Sequence, residues 1–463
     1  MEYFMDTTIT AIATPSGRGG IGIIRISGID ALGIAIKIFV YPDKTPPRFI
    51  KPRHIHYGYI IDKNSKYIDE VLLFYMNGPQ SYTAEDVVEI QSHSSPIVLR
   101  KILDLILKCG AELAEPGEFT KRAYLNGRID LTQAEAVIDI INARTSTSLD
   151  MAVSQVSGQL KDQLNEIINV LSDDRARIEA IIDFPDDVGD ILDQRQMVDR
   201  LQTLVYNPLR KLKQNFDDSN IFRDGIKIVI AGPPNSGKSS LLNALLNKEK
   251  SIVTPVPGTT RDLIDDLINI EGIPFEITDT AGIQDTQDQV EQLGILRTFD
   301  RMKLSDLIIL MFDGSQSLNE KEQKSLIDIY NEYRQIKKIV VVENKIDLHS
   351  SHGALFNKIK PDIRLSVLEK IGLDELKKKI CEAVLDELPE NRSSIVPNVR
   401  HIQLIESALQ LYEQIIDGLK GDRGCELIAI DLNECINCLG EIIGSFVHDD
   451  ILDRIFHSFC IGK

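Results

Sequence analysis

The sequence predicts a multidomain protein of mixed α/β and all-α character, with a mostly parallel sheet inserted into a helical domain. Three observations predict it. Short β-branched runs occupy the first 120 residues, amphipathic helical stripes lie on both sides of 223–384, and strongly apolar strands alternate with helical stretches within that segment. At about 150 residues per domain, 463 residues hold roughly three cores. An apolar content of 43% with 26% charged residues excludes a disordered chain, a collagen or a coiled-coil rod. The net charge of −18 leaves no global basic footprint, so any polyanionic partner has to be gripped by a local patch. The densest apolar run, Leu307–Phe312, is strand-length and far short of a membrane span. Residues 1–5 show neither the basic nor the apolar part of an export signal. Six cysteines at 109, 381, 425, 435, 438 and 460 make no disulfide framework, and the expected location is cytoplasmic.

Thr8–Ala13 and Ile21–Ile26 read as strands separated by the turn residues Thr14–Gly20, and Val71–Tyr75 as a third. Thr83-Ala-Glu-Asp86 and Thr132-Gln-Ala-Glu135 read as capping boxes that open helices. From about 130 to 220 the pattern is helical, with Leu160, Leu164, Ile167, Ile168, Leu171, Ile178 and Ile181 forming one stripe. Strands then recur at Ile226–Ile230, Phe275–Ile277, Leu307–Phe312 and Ile339–Val342. The stretch Leu388–Pro397 reads as a linker. Beyond it Ile402, Ile405, Leu409, Tyr412, Ile416 and Leu419 define an amphipathic helix. Neither flank can bury its stripe alone, so the two should pack together around the inserted sheet.

Strand Ile226–Ile230 runs into Gly232-Pro-Pro-Asn-Ser-Gly-Lys-Ser239 and a helix beginning Ser240-Leu-Leu, a phosphate loop in its strand–loop–helix setting. Asn235, Ser236, Gly237, Lys238, Ser239 and Ser240 would surround the phosphates. The glycines let backbone N–H groups curl round oxygens, Lys238 neutralises the β- and γ-phosphates, and Ser239 ligates Mg²⁺. Asp279-Thr280-Ala281-Gly282 follows a strand; its carboxylate can hold Mg²⁺ through water, and the Gly282 N–H can sense the γ-phosphate. Gly258-Thr-Thr-Arg-Asp262 lies where a first switch belongs, with Thr260 completing the metal shell. Asn344-Lys345-Ile-Asp347 follows the strand Ile339–Val342. Asp347 can accept from both N1–H and the exocyclic amine of guanine, a pair of donors that adenine lacks. Ser366-Val367 sits where a backbone contact to the base is expected. Four ordered motifs predict a Ras-like P-loop domain that hydrolyses GTP. Ile283 stands where Ras-like proteins place the glutamine that orients the attacking water, so that role must fall elsewhere. The acidic segment Asp285–Glu291 is the nearest pool, and most of it reads as a solvated switch loop.

Outside these motifs, Thr14–Gly20, Arg25-Ile-Ser-Gly28, Glu85–Glu89, Pro116–Thr120, Leu125–Leu131, Ile182–Pro185 and Phe459–Lys463 resemble, end to end, the MnmE (TrmE) family of tRNA-modification GTPases. The resemblance implies three domains: an N-terminal α/β domain over 1–120 that dimerises and binds folate, a helical domain from 121–222 with 385–463, and an inserted G domain at 223–384. It implies a homodimer that works with an MnmG (GidA)-like flavoprotein in a heterotetramer on the wobble uridine, position 34, of tRNA, in a 5-carboxymethylaminomethyl-type modification. A tetrahydrofolate such as 5-formyl-tetrahydrofolate is bound, with Arg25, Glu89, Arg128 and Lys463 at the folate positions. The resemblance also implies K⁺ in place of an arginine finger, held at Asn235, Thr254, Val256 and Thr259, with Thr254 and Thr259 near the nucleotide. It makes Glu291 the water-activating residue when G domains meet. His93-Ser94-Ser95 departs from the family's His-Gly-Gly, Arg128 stands where other members use lysine, and Val367 replaces a smaller residue.

Other signals are weaker. Gly17-Arg-Gly-Gly-Ile-Gly22 is followed by a strand-like run and not by the helix a dinucleotide site needs. Cys435-x-x-Cys438 reads as two buried helical cysteines ahead of half a metal or redox site. Cys460 is either a reactive thiol near the folate or a small buried side chain. His93 and His457 read as structural. The rival to the enzyme is a ribosome-assembly GTPase, a binding switch that needs neither the folate residues nor the Cys460–Lys463 tail.

Overall fold

The computed structural model describes residues 7–15, 17–184, 194–247, 266–279, 301–316, 318, 320–348, 358–384, 395–421, 423–447 and 449–463. The N-terminal part holds β1 (Ile9–Ile12), β2 (Gly19–Ser27), α1 (Ala31–Ile38), β3 (Phe39–Val40), β4 (Ile55–Ile61), β5 (Tyr67–Met76), β6 (Val87–Ser94), α2 (Pro96–Lys108) and β7 (Glu112–Leu113). Its sheet runs β3-β4-β5-β6-β2-β1-β7, antiparallel except for the β1–β7 pair. Side chains alternate across each strand. Ile24, Ile26, Leu73 and Ile90 therefore face one side, where Ile34 and Ile38 of α1 and Leu99, Ile102 and Ile106 of α2 cover them. The opposite, outer face carries Arg25, Glu89 and Phe74 in one row.

The segment Thr83–Asp86 is not helical. Ala84 takes a left-handed conformation, the Thr83 hydroxyl pairs with Ser27, and Asp86 accepts from Tyr75 and from the Gly78 N–H. The polar side chains pin a loop that delivers β6 at Val87. Strand β2 likewise begins at Gly19, inside the expected turn, and this rules out a dinucleotide helix after Gly17.

Next come α3 (Glu118–Leu125), α4 (Leu131–Asn142), α5 (Ser146–Val156), α6 (Gln159–Asp183), α7 (Gln194–Leu201), a π-helical turn (Gln202–Tyr206) and α8 (Asn207–Asp224). The capping box of α4 is Asp130 with Gln133, two residues before the expected Thr132 and Glu135. Thr132 instead donates its hydroxyl to Asp130, which frees Glu135 to turn inward.

The inserted segment comprises β8 (Ile226–Ala231), α9 (Lys238–Asn247), β9 (Asp266–Ile270), β10 (Ile273–Asp279), β11 (Leu307–Asp313), α10 (Glu320–Tyr333), β12 (Lys338–Asn344), β13 (Ile363–Arg364) and α11 (Leu373–Val384). The sheet order is β13-β12-β11-β8-β10-β9, parallel except for the β9–β10 hairpin. Leu307–Phe312 of β11 are all apolar and buried on both faces, as central parallel strands require.

After it, α12 (Val399–Lys420) and α13 (Cys425–Ile443) return to the earlier helices, and α14 (Asp449–His457) follows. Leu160, Leu164, Ile167 and Leu171 of α6 share one core with Ile402, Ile405, Leu432 and Leu439, so the two flanks bury each other's stripes. Helix α4 holds both roots of the insertion. Asp139 accepts from Arg223 at 3.1 Å on the incoming side. On the outgoing side Glu135 accepts from Arg400 at 2.8 Å and from His401 at 2.7 Å. Arg400 also donates to the Glu441 and Ile442 carbonyls in the last turn of α13. Of the expected linker, 388–394 lies outside the described residues, while Val396 is buried against the inserted core. Among the described residues no helix is long and apolar enough to cross a membrane.

Candidate functional site

The phosphate loop joins β8, at the centre of the second sheet, to α9. Gly232 (φ +151°) rests on β11 so closely that a Cβ would lie 1.9 Å from the Met311 carbonyl oxygen, and Gly237 (φ +99°) abuts Asn344 in the same way. Asn235 is also left-handed, at φ +59°. Alternating conformations of this kind turn successive N–H groups inward, the geometry of an anion-binding nest. The Ser236 hydroxyl is buried with no hydrogen-bond partner among the described residues, which fits a loop shaped for added acceptors. Lys238 donates to the carbonyls of Gly232 (3.0 Å) and Pro233 (2.8 Å), so its ammonium already lies over the loop. Ser239 and Ser240 are exposed in the first turn of α9.

The guanine motif is tied to this loop. Asn344 donates to the Ser236 carbonyl at 2.9 Å and accepts from the Val367 N–H at 3.2 Å, one side chain joining phosphate loop, guanine motif and the Ser366–Val367 turn. Lys345, left-handed at φ +66°, pairs with Asp313 at 2.6 Å. Burial alone would raise the Asp313 carboxyl, but the Lys345 and Ser315 hydrogen bonds overcome it and hold it below its usual value. Asp347 is exposed. Asp279 ends β10 beside β8, its backbone opposite Ile230. Thr254, Val256, Thr259, Thr260, Thr280, Ala281, Gly282, Ile283 and Glu291 lie outside the described residues.

A second constellation forms on the outer face of the first sheet. Arg25 on β2 pairs with Glu89 on β6 at 2.8 Å, and its guanidinium lies 5.4 Å from the Tyr82 ring centre and 5.6 Å from that of Phe119. Arg128 sits 5.1 Å from the same Tyr82 ring and donates to the Tyr82 carbonyl at 3.0 Å. The C-terminal tail threads in beside them. Arg25 reaches the Gly462 carbonyl at 3.5 Å, Gly117 donates to the Cys460 carbonyl, and Gly462 (φ +96°) passes so near β1 that a Cβ would meet the Ile12 carbonyl at 2.6 Å. Burial first, and the Arg25 charge second, pull the Lys463 ammonium below its ordinary value, while Glu89 opposes. The fold thus gathers Arg25, paired with Glu89, and Arg128 on Tyr82, with Lys463 beside Arg25 and Glu89. Three cations against one carboxylate, with aromatic walls, suit an anionic ligand that carries a ring.

Sequence reasoning gave Tyr82 and Phe119 no role of their own. Neither side chain is charged, and only the convergence of β2, β6 and α3 brings them to the site. Cys460 is exposed, so of its two alternatives the buried side chain does not hold. Cys435 is buried in α13, its thiol pushed up to about 12 by desolvation, and Cys438 is half-buried with a raised thiol; both are packing residues. His93 pairs with Asp69 at 2.9 Å, and His457 with the Asp453 carbonyl, both exposed.

Comparison with known proteins finds relatives along the whole chain. The family profile of the MnmE helical domain matches residues 131–460, and that of the GTP-binding protein TrmE N-terminus matches 8–128. A tRNA modification GTPase MnmE from Alkaliphilus oremlandii is 44% identical over 470 residues, covering 99% of this chain and 100% of the relative. One from Desulfotalea psychrophila is 42% identical over 472 residues, covering 100% of both. A crystal structure of an Aquifex aeolicus Era variant bound to GDP.AlF4- is 25% identical over 40% of this chain and 66% of that one, with a TM-score of 0.27.

Proposed function

The chain belongs to the MnmE family of tRNA modification GTPases, and from that premise we propose a K⁺-activated GTPase of wobble-uridine modification. It works as a cytoplasmic homodimer with an MnmG-like flavoprotein and a bound tetrahydrofolate. The division is 1–120 for folate binding and dimerisation, 121–222 with 385–463 for the helical support, and 223–384 for the G domain. The observation that carries this over a ribosome-assembly switch is the convergence of Arg25, Glu89, Arg128 and the Lys463 tail on Tyr82, which an assembly factor does not need.

In hydrolysis Lys238 exchanges its two loop carbonyls for the β- and γ-phosphates and spreads their developing charge. Ser239, with Thr260 and with Asp279 through water, would hold Mg²⁺, which would neutralise charge developing on the phosphates. The Asn235 amide, with Thr254, Val256 and Thr259, offers hard oxygen ligands for K⁺, which supplies the charge of an arginine finger. Glu291 orients the attacking water once two G domains meet, a role Ile283 cannot fill. In the folate pocket Arg25, Arg128 and Lys463 hold the ligand's carboxylates while Tyr82 packs its ring. The test is twofold. GTP turnover should rise steeply in KCl over NaCl, and Glu291→Ala should bind GTP normally yet hydrolyse it far more slowly. Titration with 5-formyl-tetrahydrofolate should show saturable binding. Equal rates in both salts overturn the K⁺ mechanism, and absence of folate binding shifts the assignment to the assembly switch.

A further inference from the structure

A chain of net charge −18 that acts on tRNA requires a local cationic surface, because phosphate neutralisation supplies most nucleic-acid affinity. Residues 41–67 provide it. They contain six lysines and arginines against two aspartates, with four tyrosines and two histidines interleaved. All six basic side chains are exposed, and none forms an ion pair with another described residue. The segment builds β4 and its flanking turns at one side of the N-terminal sheet. On the outer face, away from α1 and α2, the rings of Tyr57, Tyr59 and Tyr67 run in series with centres 6.1 and 4.9 Å apart, and the Lys44 ammonium stands 6.0 Å from the Tyr67 ring. Tyr57 is 44% and Tyr67 43% exposed. Strand register continues this face from Ile55 through Phe74 and Glu89 to Arg25. Three strand spacings of about 4.8 Å put roughly 15 Å between the tyrosine strand and the folate pocket.

We propose that this face docks tRNA: unpaired anticodon-loop bases stack on Tyr57, Tyr59 and Tyr67 while Lys44, Lys63 and Lys66 take the flanking phosphates. The inference rests on the tRNA reading above and gives that substrate a place on the chain. Stacking is tolerant of base identity, and the surrounding lysines supply the backbone attraction. Glu70 lies opposite Tyr59, so phosphates pass over the lysine-bearing turns and not over the rings. A second copy of the chain is the poorer occupant, since a two-fold interface would set this basic segment against itself.

The test measures binding of the full-length protein to an unmodified anticodon stem-loop by fluorescence anisotropy across a KCl series. Lys44→Gln/Lys63→Gln/Lys66→Gln should weaken binding at least tenfold and flatten the log–log salt slope by about 2. The corresponding triple arginine variant should bind like wild type. Tyr57→Ser/Tyr67→Ser should weaken binding about tenfold with the slope unchanged. GTP turnover and sedimentation should stay as in wild type for all three. Tight wild-type binding with indifferent variants overturns this surface alone, as does loss of the dimer without loss of RNA binding. A wild-type chain that binds no stem-loop overturns it together with the tRNA reading.

Discussion

Glu135→Ala tests the joint that carries the inserted domain. Glu135 is 8% exposed and accepts from Arg400 and from His401, which is itself fully buried. Burial by itself would raise the Glu135 carboxyl, but the hydrogen bonds from His401 and Arg400 and the Arg400 charge hold it well below the carboxylate range. Removing it leaves the His401 Nε2–H without an acceptor and a largely buried guanidinium without its counter-charge. Breaking a buried pair on one side costs about 3–5 kcal/mol. For a domain of about 150–250 residues that lowers the melting temperature by roughly 6–20 °C. Thermal unfolding followed by circular dichroism, on full-length protein without ligands, reads this directly. Asp104→Ala is the control, because the Arg100–Asp104 pair has side chains 74% and 43% exposed and is worth less than about 1 kcal/mol. If Glu135→Ala costs no more than that control, the joint is not the support described here.

Acid should weaken the same joint. The His401 Nδ1 accepts from the Asn398 N–H, so the ring is held neutral, and burial keeps its basicity below the ordinary 6.5. The unfolded chain therefore takes up a proton that the folded chain refuses, and stability falls as pH drops below 6.5. A further loss comes below 4.5 as Glu135 is protonated on unfolding. His401→Gln should flatten the first part of that decline in denaturant midpoints taken between pH 7.5 and 5.5. Gly232→Ala should abolish measurable GTP binding by calorimetry, because its Cβ would occupy the Met311 carbonyl. Asp347→Asn should weaken GTP by two or more orders of magnitude and favour xanthosine triphosphate, whose donor and acceptor edge matches an amide, in competition binding. Deleting Gly462–Lys463 should cut 5-formyl-tetrahydrofolate affinity at least tenfold while GTP turnover persists; undiminished folate binding would remove the tail from the pocket.

The phosphate loop was legible because its parts are contiguous in the chain. A glycine that must take positive φ, a lysine and a hydroxyl within eight residues state their own geometry, and the strand–loop–helix order places them. The flanking stripes announced one shared helical core for a similar reason, since 3.6-residue periodicity marks a face that needs covering. Reading failed where local pattern and tertiary contact compete. Thr132-x-x-Glu135 has the form of a capping box, yet Asp130 caps α4, because Glu135 gains more from the Arg400 guanidinium and the His401 ring N–H brought in by α12. Thr83–Asp86 has the same form and makes no helix, because its side chains satisfy β2 and β5 instead.

The sequence by itself determined most of the strands and helices, the strand–loop–helix setting of the phosphate loop, and which family the chain resembles. Only the tertiary structure decided that Arg25 and Gly462, 437 positions apart, meet beside Tyr82, and that one helix grips both roots of the inserted domain. Periodicity, caps and turns are set by neighbours within a few residues. Contacts across hundreds of residues exist only once apolar burial has closed the intervening loops, and nothing in the local chain encodes that partner.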